Sequence, residues 1–169
     1  HPYIYSSLAT SLFGQHFNTP LWLAAGFDKN GLLVKSIHSY GFAGEVVGSI
    51  TAKPWPGNEK PRLFRLPKNK ALLNRMGLNN DGAEAIGERI REETSLFAVS
   101  IAKTPDPTIR GDKAIDDYVT SYRFVGEYGL YTEIDISCPN TADGTSFQRP
   151  EHLVTLIDAL LERGKKHPL

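Results

Sequence analysis

The sequence predicts an α/β protein on a parallel sheet, the first four βα units of a (β/α)8 TIM barrel, and three observations carry that expectation. Short β-rich runs alternate four times with stretches of helical period along the 169 residues. Each run stops at a polar or Gly-rich turn, and those turns hold amides, hydroxyls, a lysine and the only cysteine. No G-x-G-x-x-G follows the first run, which counts against the alternative, a small doubly wound dinucleotide-binding domain. A complete barrel takes about 250 residues. The chain is therefore expected to be the N-terminal half of a single barrel domain, covering 1–169.

The elements follow in order. Residues 21–25, Leu-Trp-Leu-Ala-Ala, read as a buried strand ending at Gly26. Asn30 is the expected cap of a helix over 30–38, with Leu33, Val34 and Ile37 on one side. A second strand covers 42–47 and ends in Gly48-Ser49, and a Pro-rich excursion over 51–80 follows. A helix is expected over 82–93 and a third strand over 96–101. Ile115, Tyr118, Val119 and Tyr122 fall at i, i+3, i+4 and i+7, which predicts a helix over Asp112–Val125. Residues 131–136 make the fourth strand. The last helix, Pro150–Arg163, has Pro150 at its start and Gly164 past its end. Residues 165–169 read as the lead into another strand.

Composition narrows the function classes. Lys and Arg total 19, as do Asp and Glu, so the formal net charge is zero and nothing recommends a nucleic-acid partner. One cysteine excludes an intrachain disulfide and a cysteine zinc cluster, and fits a reducing compartment. His16, His38 and His152 lack metal-ligand spacing, so no metal is expected. No apolar stretch approaches the roughly 18 residues of a membrane span. Residues 1–17 lack a basic start followed by an apolar run, so no signal peptide is expected. Without an initiator Met, the chain is expected to begin inside a longer product. Trp22, Trp55, Tyr118 and Tyr122 read as packing residues, and the charged run from Glu84 to Glu93 as a solvated helix face.

The strand ends hold the candidate chemistry, because reacting groups of α/β enzymes gather there. Gly26, Asp28, Lys29 and Asn30 follow the first strand; Gly48, Ser49 and Thr51 follow the second. The excursion adds Asn74, Arg75 and Asn79. Ser100 and Lys103 close the third strand, and Asp135, Ser137, Cys138 and Asn140 the fourth. Glycines allow close backbone approach to a flat ligand, and amides suit a ring of alternating donors and acceptors. Taken singly, each Asn or Gly could simply make its turn, and a lone cysteine could be a small buried hydrophobe.

Several of these segments resemble one family. Ala24-Ala25-Gly26-Phe27-Asp28-Lys29-Asn30 is similar to the first flavin-binding strand end of the dihydroorotate dehydrogenases. Gly48-Ser49-Ile50-Thr51-Ala52-Lys53-Pro54, with Pro56-Gly57-Asn58, resembles their second. Pro61-Arg62-Leu63-Phe64-Arg65-Leu66-Pro67 and Asn74-Arg75-Met76-Gly77 resemble the excursion of the quinone-using class. Ser137-Cys138-Pro139-Asn140-Thr141 resembles the active-site turn. The resemblance runs from Leu8 to the C-terminus.

The resemblance implies an FMN enzyme that oxidises dihydroorotate to orotate in pyrimidine synthesis and passes electrons to a quinone or a soluble acceptor. Ala24, Ala25, Gly26, Lys29, Gly48, Ser49, Ser100 and Asp135 would contact the flavin. Lys29, Asn74, Met76, Gly77, Leu78 and Asn140 would contact the substrate, and Cys138 would be the base. The rest of the barrel, which in the family holds the flavin phosphate, is required. The resemblance further implies a cytoplasmic protein, or one peripheral to the inner face of a membrane through a region outside this chain, and it leaves a homodimer open.

The chain also departs from the family pattern. Cys138 is the residue of the soluble class, where the quinone class has serine. Leu78 replaces a phenylalanine, and 142–146 differ from the usual Pro-Gly-Leu-Arg. Asp135 and Ser100 stand where asparagines are expected. A carboxylate beside an anionic ring points to a changed substrate. Two alternatives therefore stay open: a relative acting on another cyclic amide or amine, or a non-catalytic flavin-binding fragment.

Overall fold

The computed structural model describes residues 6–137, 146–163 and 168–169. Cys138, Asn140, the loop at 142–145 and residues 164–167 lie outside the described residues. The chain opens, after a short 3-10 turn, with a hairpin that the sequence reading did not anticipate. Strand β1 (Thr10–Leu12) pairs antiparallel with β2 (Gln15–Phe17). The turn residues Phe13 and Gly14 both have positive φ, +49° and +76°, the backbone that matches the twist of a two-residue hairpin. Phe17 stands edge-on to Trp22 at 5.5 Å, while Phe13 and Trp22 lie 5.8 and 6.2 Å from Tyr131. Four aromatic rings thus gather at the N-terminal ends of the sheet.

Strand β3 (Trp22–Leu23) is short, and β4 (Gly44–Ile50) is wholly buried. Between them the expected helix over 30–38 does not form. The Asp28 carboxylate accepts from the backbone N–H of Asn30 at 3.1 Å and of Leu33 at 2.6 Å, which closes a turn instead. Gly31 has φ +69° and lies against Ile90, where a Cβ would come within 2.5 Å of a side-chain methyl. Only a 3-10 helix at Ile37–Tyr40 results, and the Asn30 side chain accepts from the Asp81 N–H rather than capping anything.

The excursion contains a second hairpin, β5 (Leu63–Leu66) with β6 (Ala71–Asn74), exposed along its length. Helix α1 (Ala83–Ile90) is shorter than expected, and buries Ala83, Ile86 and Ile90. Strand β7 (Phe97–Ala102), helix α2 (Asp112–Val125), strand β8 (Thr132–Asp135) and helix α3 (Pro150–Arg163) complete the units close to their predicted bounds. The four parallel strands are ordered β3-β4-β7-β8. The Thr132 N–H donates to Pro168 O at 3.0 Å, so residue 168 lies beside the start of β8, where the sequence leads into a further strand.

Strand alternation divides the sheet into two faces. Val47, Ile50, Phe97, Val99 and Ile101, with Ile134 and Ile136, meet Ile86, Ile90, Tyr118, Tyr122, Val125, Leu156 and Leu160 of the helices in one apolar cluster. The opposite face carries Trp22, Gly44, Val46 and Ala98 towards the start of the strands and Ser100, Glu133 and Asp135 towards their carboxyl ends. The helices approach closely because Gly87 of α1 lies under the Phe124 carbonyl, where a Cβ would come within 2.4 Å. Among the described residues no helix is long and apolar enough to cross a membrane, and no cluster of three metal-binding side chains occurs.

Candidate active site

The polar face ends, at the carboxyl termini of the strands, in a cleft of about 320 Å³. Its walls come from segments far apart in sequence: Ala25, Gly26 and Lys29 after β3, and Ser49 in β4. Asn74, Met76, Gly77 and Leu78 come from the excursion, and Glu133, Asp135 and Ser137 from β8 and its end.

A bulge places Ser49. Val47 pairs with Val99 and Ile50 with Ile101, so three steps along β4 match two along β7. The extra residue lets Val47 and Ile50 both face the helices while Ser49 faces the cleft. Gly48, at φ +131°, is required there, since a Cβ would come within 2.4 Å of the Ser100 carbonyl oxygen. The Gly26 N–H donates to Gly48 O at 2.7 Å, and the Gly48 N–H donates to Asp28 O at 2.9 Å, stitching the first two strand ends together.

Ser49 then joins a polar chain. Its hydroxyl donates to Asp135 Oδ2 at 2.9 Å and lies 3.0 Å from the Ser100 hydroxyl, which donates to Glu133 Oε1 at 2.9 Å. Asp135 Oδ1 accepts from the Ser137 N–H at 3.1 Å, and the Tyr118 hydroxyl donates to the Asp135 carbonyl at 2.8 Å from the helix side. The excursion is fastened by Asn80, whose side chain donates to Leu78 O and Thr51 Oγ1 and accepts from the Gly82 N–H. Asn58 accepts Arg62 and donates to Arg75 O, and Gly77 packs against it too closely for any side chain.

Ala25, Gly26, Lys29, Ser49, Asn74, Met76, Gly77, Leu78 and Asp135 thus share one cleft, as the sequence reading expects. Ala24, Gly48 and Ser100 do not line it; Ser100 is fully buried behind Ser49. Cys138 and Asn140 lie outside the described residues. Glu133 was missed, although it stands two residues before Asp135 and so shares its face of β8. Lys103, expected on the rim, is buried: its Nζ donates to the carbonyls of Thr104 and Ile109. Beside it, burial pushes the Asp117 carboxyl up, against the opposing effect of the Thr104 N–H it accepts. Away from the cleft, Glu45 shares its row with Leu23 and Phe97, is fully buried, and has no partner for either carboxyl oxygen among the described residues. Burial, with the Asp28 charge adding to it, raises its pKa to about 7.

Parallel strands backed by helices, with a cleft of small residues, amides, hydroxyls and a lysine at their carboxyl ends, define the layout of an α/β-barrel enzyme site. The sequence model of the dihydroorotate dehydrogenase family matches residues 7–169, and the chain belongs to that family. A relative from Haloarcula marismortui, "Dihydroorotate dehydrogenase (quinone)", is 39% identical over 157 residues, covering 93% of this chain and 45% of the relative. A relative of the same name from Synechococcus is 43% identical over 166 residues, covering 96% and 43%. A crystal structure of DHODH from Eimeria tenella in complex with ferulenol superposes with a TM-score of 0.84 at 34% identity, covering 95% of this chain and 44% of that one. The chain spans a little under half the length of these relatives.

Proposed function

We propose that this chain is the N-terminal half of a single FMN-binding barrel domain and contributes half of a site that oxidises dihydroorotate to orotate. The observation that carries the reading is the convergence, in one cleft, of flavin-side and substrate-side candidates from four separate segments. The cleft also fits a flat ring. A Cβ on Gly26 would meet no atom within 4 Å, so a side chain there would project into the open slot that Ala25 and Gly26 leave. When bound, the flavin supplies the hydride acceptor.

The chain's own residues do the rest. The Cys138 thiolate takes a proton from the ring carbon next to a carbonyl as the neighbouring carbon gives up hydride, leaving the new C=C bond. Lys29 holds the substrate carboxylate as a point charge, and Asn74 and Asn140 orient the ring amides, each offering donor and acceptor. Ala25, Gly26 and Ser49 admit the flavin edge. Quinone as the electron acceptor, a cytoplasmic or membrane-peripheral location and a homodimer belong to the same proposal, the first drawn from the relatives' printed names.

A second reading, turnover of another cyclic amide or amine, draws support from the Asp135 carboxylate on the cleft wall. Anaerobic mixing of the full-length protein that contains this chain with dihydroorotate separates the two. Rapid loss of flavin absorbance is expected; bound flavin that stays oxidised would refute dihydroorotate as substrate, and a protein without flavin would refute the cofactor.

A further inference from the structure

The charged run from Glu84 to Glu93 reads as a solvated helix face, yet one member of it, Arg89, turns to the loop after β3. Its Nη1 donates to the Asn30 carbonyl, and its Nη2 donates to Asp81 Oδ2 at 3.1 Å. The Asp81 N–H donates in turn to Asn30 Oδ1 at 3.0 Å, which closes a joint of three residues. The next residue of α1, Ile90, seats the same loop, since a Cβ on Gly31 would come within 2.5 Å of its side-chain methyl. Each arm of the joint leads to a different wall of the cleft. Asn30 follows Lys29, and Asp81 follows Asn80, whose side chain donates to the Leu78 carbonyl. Lys29 and Leu78 line the cleft, while Asn30, Asp81 and Arg89 do not. The Asp28 carbonyl accepts the Gly48 N–H, so the backbone is tied down on both sides of Lys29. The Arg89 and Asp81 side chains are 33% and 48% exposed, and an ion pair this exposed contributes little stability by itself. The guanidinium supplies geometry instead: its planar fork reaches partners on two segments at once, which an ammonium does not.

We infer that Arg89 is a positioning residue: from outside the cleft, through Asn30 and Asp81, it fixes where Lys29 stands against the excursion wall. Its effect on substrate rests on the proposed function, in which Lys29 holds the substrate carboxylate. Without the joint the loop shifts and that carboxylate is held less well, while the proposed base comes from a separate segment, after β8.

The test compares the full-length protein that contains this chain with its Arg89→Ala variant. KM for dihydroorotate should rise about tenfold with kcat within about twofold, a loss of binding rather than of chemistry. Guanidinium ion, added below denaturing concentrations, should restore KM in Arg89→Ala, and ammonium at equal ionic strength should not. Asp81→Ala should raise KM in the same way, and combining it with Arg89→Ala should add little, because both break one joint. Amide exchange reads the joint without substrate. In Arg89→Ala the N–H groups of Asn30 and Asp81 should exchange about tenfold faster or more, while those of β4 and β7 keep their rates. An unchanged KM, rescue by ammonium as well as guanidinium, additive effects of the two substitutions, or unchanged exchange at Asp81 would overturn the inference. Faster exchange throughout β4 and β7 would also overturn it, since Arg89 would then serve stability alone. A parent protein whose flavin dihydroorotate does not bleach would overturn the proposed substrate instead, and the inference would stand or fall on the exchange rates.

Discussion

Replacing Glu45 by glutamine should stabilise the protein, and only above about pH 4.5. The side chain is fully buried on the helix-facing side of β4, and neither carboxyl oxygen has a hydrogen-bond partner among the described residues. Its pKa rises from 4.5 to about 7. At about 1.4 kcal/mol per pH unit, ionising the buried group costs about 3 kcal/mol of stability. The sign follows from proton binding. The native state holds the proton more tightly than the unfolded state, so the stability this group confers is complete below 4.5 and is lost as pH rises through 7. The neutral amide of Glu45→Gln stands in for the protonated acid at every pH. Urea unfolding, followed by far-UV circular dichroism between pH 4 and 9, should give coincident stabilities for the two proteins at the acid end. The gap should then widen to about 3 kcal/mol by pH 8 and stay level beyond it. A gap independent of pH, or a variant less stable than the parent at pH 8, would refute the assignment of a buried, unpaired carboxyl.

Two further outcomes follow from the site. Gly48→Ala forces a Cβ to within 2.4 Å of a backbone oxygen at φ +131°, and should cost at least about 2 kcal/mol in the same unfolding assay. An unchanged midpoint would show that β4 and β7 are not held this closely. Cys138→Ser should lower turnover near neutral pH by about a hundredfold or more while bound flavin, read by absorbance, is retained. Undiminished turnover would remove Cys138 from the role of base.

Much of the fold was legible because packing and local preference agree. In α2 Ile115, Tyr118, Val119 and Tyr122 keep a 3.6 period and join the apolar cluster beneath the sheet, and in α3 a proline marks the first turn, so both helices match their predicted bounds. The segment over 30–38 misled for the opposite reason. Its apolar spacing is helical, and Val34 and Ile37 are indeed buried, but the Asp28 carboxylate captures the backbone N–H groups a helix would use. Both hairpins were passed over. In the first, Phe-Gly carries the turn in place of the usual Asn-Gly signal, and the second keeps both faces exposed, so neither shows a buried-face alternation. At the site, the residue types at the strand ends were readable from their turns. Which of them would touch was not, because Ser49 reaches Asp135 across 86 positions of sequence. Glu133 was within reach of simple period-two counting from Asp135.

The bulge in β4 makes chain length itself a determinant of the cleft. Upstream of Gly48 the strand is in one phase, with Val47 against the helices; downstream it is in the other, with Ile50 in the same core. Deleting Gly48 would restore regular alternation with Val47 and Ile50 still in the core, but it would remove the carbonyl that accepts the Gly26 N–H and the N–H that donates to Asp28 O. The segment after β3, which carries Ala25, Gly26 and Lys29 to the cleft wall, would then lose its ties to β4. A grafted or redesigned version of this strand must therefore preserve its residue count between Val47 and Ile50 as strictly as it preserves the serine.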